Sequence, residues 1–375
     1  MKRSQGRRVL ADKRIMLISG ARPNFMKIAP LLRALDARPG FTTRLVHTGQ
    51  HYDEDMAQSF FRDLGMRPPD IDLEVGSASH AVQTGRIMIL FDELLDREHA
   101  DLVLVVGDVN STIACALVAV KRGIPVAHVE AGLRSRDRAM PEEINRILTD
   151  SISDLLFTTE ESAAPNLRAE GIAAEKIHFA GNVMVDTLFH HRREAAGIPL
   201  PAVPEPFALV TLHRPSNVDD PASLQRAVSI LADSARTIPL VFPVHPRTAA
   251  KLRETGLRET LENTPGVHLL PPANYLTFVR LLLAARVVLT DSGGIQEEST
   301  ALGIPCITLR ENTERPITVS EGTNEVCGLD RKKIATVLAD ILQGRGKSGR
   351  IPKLWDGKAA ERIADTLAVY FDERS

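Results

Sequence analysis

Ionisable side chains recur in this chain just where apolar runs stop. Arg22 and Lys27 follow the run ending at Ser19, Asp108 follows Leu102 to Gly107, Glu130 follows Pro125 to Val129, His213 and Arg214 follow Ala208 to Leu212, and His245 ends the next such run. If those runs are parallel strands, ligands lie outside their carboxyl ends, and these residues converge on one place. A single His or Asp at a strand end is more often a cap or a buried hydrogen-bonder; repetition at five strand ends points to chemistry. Another carboxylate, Glu142, opens the segment Pro141-Glu142-Glu143-Ile144-Asn145-Arg146, with Lys27 expected on the first turn of its own helix. Proline first and acids in the first turn stabilise a helix start, so alone Glu142 reads as a cap, but only twelve residues separate it from Glu130. Carboxylates gathered in a partly closed site repel one another, so at least one should have a raised pKa and exchange protons near neutrality.

The stretch Leu289-Thr290-Asp291-Ser292-Gly293-Gly294-Ile295-Gln296-Glu297-Glu298-Ser299 supplies a different chemistry, because an apolar run ends there in a glycine turn and a helix begins. The first N–H groups of a helix lack intrahelical partners and its dipole presents partial positive charge, so a phosphate or diphosphate can bind there without a metal. Gly293 and Gly294 let the backbone come close to that anion. Glu298 cannot favour a phosphate and is read as reaching past it to a sugar hydroxyl pair such as a ribose. The plainer alternative is that Asp291 and Ser292 only cap a helix that Gly303 ends.

The elements that must position these residues are short β-branched runs alternating with helical patterns. Strands are expected at Arg14 to Ser19, Thr43 to Thr48, Leu102 to Val106, Pro125 to Val129, Leu155 to Thr159 and Lys176 to Ala180, with helices at Ala81 to Leu95 and Ser111 to Lys121. After the proline-rich segment Ile198 to Phe207, read as a linker, strands resume at Ala208 to Leu212, Leu240 to Val244, Val267 to Leu270, Arg286 to Thr290 and Pro305 to Leu309. This alternation predicts parallel sheets with helices on both faces. The turn Gly123-Ile124-Pro125 recurs as Gly303-Ile304-Pro305, so the expectation is an α/β protein of two Rossmann-like domains facing across a cleft. Their expected bounds are 1–188 and 189–356, the second holding the glycine turn at which a diphosphate would bind, with a C-terminal helix in 357–375 packing back on the first. A chain of 375 residues suits two domains of about 100 to 200 residues each.

Composition excludes several classes. With 46 basic and 48 acidic residues and a net charge of −2, neither a nucleic-acid partner nor an acidic membrane surface is implied. The basic head from Lys2 to Arg14 reads as a frayed tail. Cys115, Cys306 and Cys327 are far apart in apolar surroundings, which suits reduced thiols rather than a zinc site. The longest apolar run, Leu281 to Leu289, is interrupted by Arg286 and is far below the ~20 residues needed to span a bilayer, so a soluble cytoplasmic protein is expected. Neither half contains GxGxxG, the fingerprint of a nicotinamide site.

The segments SGARPNFMK, HTGQHYD, GDVNST, HVEAGLRS, MPEEINR, TLHR, PVHPR, TDSGGIQEES and NTERPIT, in this order and over almost the whole chain, resemble the non-hydrolysing UDP-N-acetylglucosamine 2-epimerases. The resemblance implies a glycosyltransferase-B-like fold, a homodimer and reversible epimerisation at C2 between UDP-N-acetylglucosamine and UDP-N-acetylmannosamine, with no cofactor and no metal, supplying cell-surface polysaccharide precursors. It implies Asp108, Glu130, Glu142 and His213 as the catalytic group. It implies Arg22, Lys27, Phe278, Ser292, Gly293, Gly294, Glu298 and Arg315 in binding the UDP part. The chain departs from the family pattern at His213-Arg214-Pro215-Ser216-Asn217, where many bacterial members continue His-Arg with Arg-Glu. Asp53 and Val82 stand where members activated by a second substrate molecule carry Gln and Arg, which argues against such activation. Relatives acting on UDP-diacetamido-glucuronic acid, or releasing free N-acetylmannosamine, share most of these segments.

The chemistry fits a site with no cofactor. A C2–H beside an N-acetyl group, with no adjacent carbonyl, is too weakly acidic for direct abstraction by a carboxylate, so inversion begins by weakening the C1–O bond. Cations and the helix end stabilise the departing UDP, and carboxylates near C1 favour the oxocarbenium-like character that makes C2–H removable. Elimination gives UDP and an enclosed 2-acetamidoglucal; re-addition on the other face gives the epimer. Water must be excluded meanwhile, so domain closure is expected. A retaining glycosyltransferase would share the diphosphate site but need an acceptor pocket, which nothing in the sequence marks. A sensor without catalysis would have no reason to hold Asp108, Glu130 and Glu142 together.

Overall fold

The computed structural model describes residues 12–49 and 61–374, apart from the side chains of Arg22 and Pro23; Asp53 therefore lies outside the described residues. The chain divides into two compact units, Met1–Thr187 with Asp356–Ser375, and Leu188–Trp355.

The first unit is built on a seven-stranded sheet of order β3-β2-β1-β4-β5-β6-β7, every pair parallel. Its strands are β1 (Lys13–Ser19), β2 (Phe41–His47), β3 (Ile71–Asp72), β4 (Leu102–Val106), β5 (Val126–Ala131), β6 (Leu155–Thr158) and β7 (Ile177–Phe179). Its helices are α1 (Arg22–Asp36), α2 (His80–Leu95), α3 (Asn110–Lys121), α4 (Pro141–Ile152) and α5 (Ala163–Ala169), followed by α6 (Val183–Gly197), in which the first unit gives way to the second. Alternate residues of β1 and β4 enter different cores: Leu17 and Leu104 join Phe157 and α1, whereas Met16, Val103 and Val105 join Phe91 of α2 and Ala114 to Ala116 of α3. Burial on both faces explains why these strands read as unbroken apolar runs.

The second unit repeats the plan with a six-stranded parallel sheet, order β10-β9-β8-β11-β12-β13. Its strands are β8 (Ala208–Thr211), β9 (Leu240–Pro243), β10 (Val267–Leu270), β11 (Val287–Thr290), β12 (Cys306–Thr308) and β13 (Asn324–Val326). Its helices are α7 (Pro215–Val218), α8 (Pro221–Ser234), α9 (Pro246–Glu254), α10 (Leu257–Glu262), α11 (Tyr275–Ala284), α12 (Gly293–Leu302), α13 (Pro316–Ser320) and α14 (Arg331–Leu342). Here too β8 and β11 split their residues between a core holding Val210 and Leu289 and one holding Leu209 and Val288. In both sheets the order reverses direction beside the first strand of the unit, between β1 and β4 and between β8 and β11, which is where α/β sheets bind ligands.

The last helix, α15 (Ala359–Asp372), belongs to the first unit. Ile363, Ala364, Leu367, Ala368 and Phe371 form its buried stripe, Phe371 meeting Phe41 edge-on at 6.0 Å. Fully burying a side chain of the Leu, Ile or Phe class contributes ~1.5–3 kcal/mol, so this stripe alone is enough to dock the helix.

Four readings of the sequence need correcting. Strands β3 and β13 were not expected; at two and three residues they are too short to show a period and exist because a neighbouring strand accepts them. The segment from Ile198 to Phe207 is not a free linker: Leu200 and Val203 pack on the Leu209–Val288 core, and Arg280 Nε donates to the Ile198 carbonyl at 2.9 Å. Lys27 lies in the second turn of α1 rather than the first, because the helix already begins at Arg22. Glu130 lies within β5 rather than after it, at a register shift between Val129 and Ala131 and with φ of 75°. No described helix is long and apolar enough to cross a membrane.

Candidate active site

In the first unit the ends of β1, β4 and β5 carry the residues of interest. Asn24 ties the start of α1 together: its Oδ1 accepts the N–H groups of Gly20 and Ala21 at 3.2 and 2.9 Å, and its Nδ2 donates to the Val106 carbonyl at 3.3 Å. This brings Lys27 over the end of β4, where its ammonium forms a salt bridge with the Glu130 carboxylate; the two side chains are 11% and 5% exposed. Gly107, which no sequence reading singled out, makes the approach possible. It has φ of 67°, and a Cβ there would stand 2.9 Å from Lys27 Nζ and 3.8 Å from Glu130 Oε2. A non-glycine residue is strained in that conformation and would also push the lysine away.

Asp108 is fixed from α4. Arg146 NH2 donates to its Oδ2 at 2.5 Å while NH1 holds Glu143 at 2.5 Å, and Asn145 donates to the Asp108 carbonyl at 2.9 Å. The buried Glu143 also accepts the N–H groups of Ser135 and Arg136; burial works to raise its carboxyl, but these bonds and Arg146 hold it below the usual range. The loop is braced from below by His128, whose two ring nitrogens meet the Asp150 carboxylate at 2.7 Å and the Gly107 carbonyl at 2.8 Å. Glu142 is half-buried in the first turn of α4, whose N-cap is Met140. Glu130 has the Lys27 ammonium against it and Asp108 the Arg146 guanidinium.

In the second unit the corresponding place is the N-terminus of α12. Ser292 is the N-cap, but its side chain makes no capping bond, and Gly303 ends the helix in a left-handed turn with φ of 70°. Asp291 does not cap the helix. It is wholly buried and accepts from the N–H groups of His213 and Arg214, both at 2.9 Å, and from Asn217 Nδ2 at 3.2 Å, while His213 Nδ1 stands 3.2 Å from its other oxygen. The alternative in which Asp291 and Ser292 merely cap the helix is therefore not what the structure holds. The Arg214 guanidinium stands 4.0 Å from where a Gly293 Cβ would be, adding positive charge to the helix end; the sequence signal for it was its place after His213 in TLHR.

Behind this end, α12 buries Gln296, Glu297 and Glu298 in succession. Arg315 Nε pairs with Glu297 at 2.8 Å. Among the described residues no cation pairs with Glu298: it accepts the Tyr275 hydroxyl at 3.2 Å, and burial pushes its carboxyl up to about 8, with the Tyr275 bond pulling the other way and Glu297 adding to the rise. Glu314, pushed up by burial, is held low overall by Arg315, Arg310 and Arg214. Phe278 on α11 is half-buried against the same core as Ile295 of α12. No sequence signal marked Tyr275. Of the site residues named from sequence, Lys27, Asp108 and Glu130 come together in the first unit, as do His213, Ser292, Gly293, Gly294, Glu298 and Arg315 in the second. Arg22 begins α1, and its side chain lies outside the described residues.

Residues 33–368 match the family model described as UDP-N-acetylglucosamine 2-epimerase. The UDP-N-acetylglucosamine 2-epimerase of Methanococcus maripaludis is 41% identical over 356 residues, covering 90% of this chain and 96% of that protein. The UDP-2,3-diacetamido-2,3-dideoxy-D-glucuronate 2-epimerase of Pseudomonas aeruginosa is 40% identical over 363 residues, covering 95% and 99%. The crystal structure of the Methanocaldococcus jannaschii UDP-GlcNAc 2-epimerase in complex with UDP-GlcNAc and UDP superposes with a TM-score of 0.87 at 40% identity, covering 95% of this chain and 99% of that one. The architecture, two parallel sheets with helices, is the glycosyltransferase-B-like one. A match along nearly the whole length leaves one conclusion: the chain belongs to the UDP-N-acetylglucosamine 2-epimerase family.

Proposed function

We propose that this protein is an isomerase that inverts C2 of UDP-N-acetylglucosamine to give UDP-N-acetylmannosamine, by elimination and re-addition of UDP. The observation that carries the reading is the N-terminus of α12, where an uncapped helix end with Arg214 over it is followed by the buried Glu298. That arrangement offers a diphosphate a cationic seat and a ribose an acceptor, with Ser292, Gly293, Gly294, Phe278 and Arg315 in the same subsite. Arg22 and Lys27 add to the diphosphate end, and Asp108, Glu130, Glu142 and His213 serve the reacting carbons.

In this scheme the C1–O electron pair leaves with UDP, a carboxylate takes the C2 proton, and the 2-acetamidoglucal accepts both back on the opposite face. The test is incubation in deuterated water with UDP-N-acetylglucosamine alone, following C2 by proton NMR. Deuterium entering C2 without added nicotinamide or metal is the expected result; turnover that leaves C2 unlabelled, or that needs either addition, rejects elimination.

A second substrate is favoured by the Pseudomonas aeruginosa relative, as similar to this chain as the epimerases of UDP-N-acetylglucosamine. The same experiment run with UDP-2,3-diacetamido-2,3-dideoxy-D-glucuronate distinguishes the two by their kcat/KM. We further place the reaction in the cytoplasm, where nucleotide sugars feed surface polysaccharides and the free, buried Cys115, Cys306 and Cys327 stay reduced. We also infer a homodimer, formed by the apolar outer face of α2 and α4.

A further inference from the structure

Asp291 is enclosed more completely than the half-site it supports requires. Its carboxylate has no exposure, and among the described residues the donors around it come from residues 213–217: two backbone N–H groups, the Asn217 amide and the His213 ring. Asn217 is itself pinned to the Leu309 carbonyl at 2.9 Å. An ionised carboxylate only accepts hydrogen bonds, so His213 must present Nδ1–H to it. The ring is 34% exposed, and Nε2 is the nitrogen left for a ligand. His213 also stacks on His245 at 5.4 Å with the planes 36° apart, which holds the plane of the ring.

We propose that Asp291 is a positioning residue of the reaction: with Asn217 behind it, it fixes the tautomer and orientation of His213 so that Nε2 faces the diphosphate oxygen leaving C1. Nε2, bare in that tautomer, takes a proton from solvent when the diphosphate binds; as the C1–O pair moves onto the leaving oxygen, the Nε2–H so formed donates a hydrogen bond to the new charge, and the proton returns to solvent when the diphosphate departs. Asp291 remains ionised in this environment: burial works to raise its carboxyl, but His213 and the backbone N–H groups hold it below the usual range. The role of His213 in this inference rests on the function proposed above, whereas the pairing of its ring does not.

Two measurements separate the levels. Nitrogen-15 NMR of histidine-labelled full-length protein reads the His213 tautomer without turnover. The Nδ1–H form is expected in the wild type and its loss or mixing in Asp291→Asn, whose amide has one acceptor atom for several donors; a wild-type ring in the Nε2–H form overturns the pairing. For turnover, Asp291→Asn should lower kcat by about 10² or more with KM changed only a few-fold, and should add less than about threefold in a His213→Gln background. Losses that multiply in the double variant mean that Asp291 acts independently of His213 and overturn the proposal. Asn217→Ser removes one donor and should give a smaller kcat loss that also vanishes in the His213→Gln background, which keeps the test open if Asp291→Asn fails to fold. If the wild type turns over neither UDP-sugar, the functional reading fails while the tautomer result still decides the pairing.

Discussion

Glu298 is a carboxyl with 2% exposure that accepts the Tyr275 hydroxyl. Burial first, then the charge of Glu297, set its pKa at about 8 against the pull of Tyr275. A ribose hydroxyl pair donates to the ionised form, so UDP binding must release a proton near pH 7, and affinity should rise with pH until about 8 and then level off. Calorimetry in buffers of different ionisation enthalpy measures this; proton uptake, or none, removes Glu298 from the ribose. Tyr275→Phe takes away the bond that lowers this pKa and should move the rise to higher pH. Among the first-unit carboxylates the surroundings dictate different outcomes for amide replacement. Glu142→Gln should cost about 10² or more in kcat, the scale of general acid–base work, with the thermal midpoint unchanged. Glu130→Gln should lose activity and stability together, because Lys27 is left charged beside a neutral amide in a site where its own side chain is 11% exposed; removing one partner of a buried pair costs roughly 3–5 kcal/mol. Turnover and thermal midpoint on the same two variants decide it, and a Glu142→Gln protein with normal kcat sinks that residue's catalytic part.

At the scale of elements, the N-terminus of α15 is held by one side chain from α6. Asp186 accepts the N–H groups of Ala359 and Ala360 at 3.1 and 2.7 Å, capping α15 across the sequence. Burial pushes its carboxyl up to about 6 despite those bonds, which is above the ~3.9 of an unfolded chain. The folded state therefore holds the proton more tightly. The stability linked to this group is full below pH ~4 and is lost as pH rises through about 6, by roughly 2–3 kcal/mol at 1.36 kcal/mol per unit. Asp186→Asn stays neutral throughout, so its thermal midpoint relative to wild type should improve between pH 4 and 7. A difference that does not vary with pH would show that Asp186 does not titrate in this window. Elsewhere, element and residue scales meet at Gly107: the loop after β4 turns through a left-handed glycine so that an α1 lysine can reach a β5 carboxylate.

For the whole molecule, α2, α3 and α4 pack side by side over one face of the first sheet. Val82, Ile89, Ile144 and Leu148 on that layer are 47%, 61%, 46% and 48% exposed, at spacings that put each pair on one helix face. Burying them between two copies removes the cost of leaving them in water, so sedimentation should give twice the chain mass, and Ile89→Glu with Leu148→Glu should give the monomer; a monomeric wild type rejects the dimer. The sequence by itself determined the two α/β units, nearly all strands and the helix that follows Ser292, because double burial and glycine turns are written within a few neighbouring residues. It also determined the family, through motifs spread along the chain. It did not determine which charges meet. Lys27 on Glu130, Arg146 on Asp108 and His213 on Asp291 each join segments far apart in the chain, brought together only by the strand orders β1-β4-β5 and β8-β11. Nor did it reveal that Glu297 pairs with Arg315 while Glu298, the next residue, meets the Tyr275 hydroxyl, since neighbours on a helix point in different directions. Pattern along the chain encodes what each segment prefers; the pairing of charges, and hence their protonation, belongs to distances that exist only after the crossovers have closed.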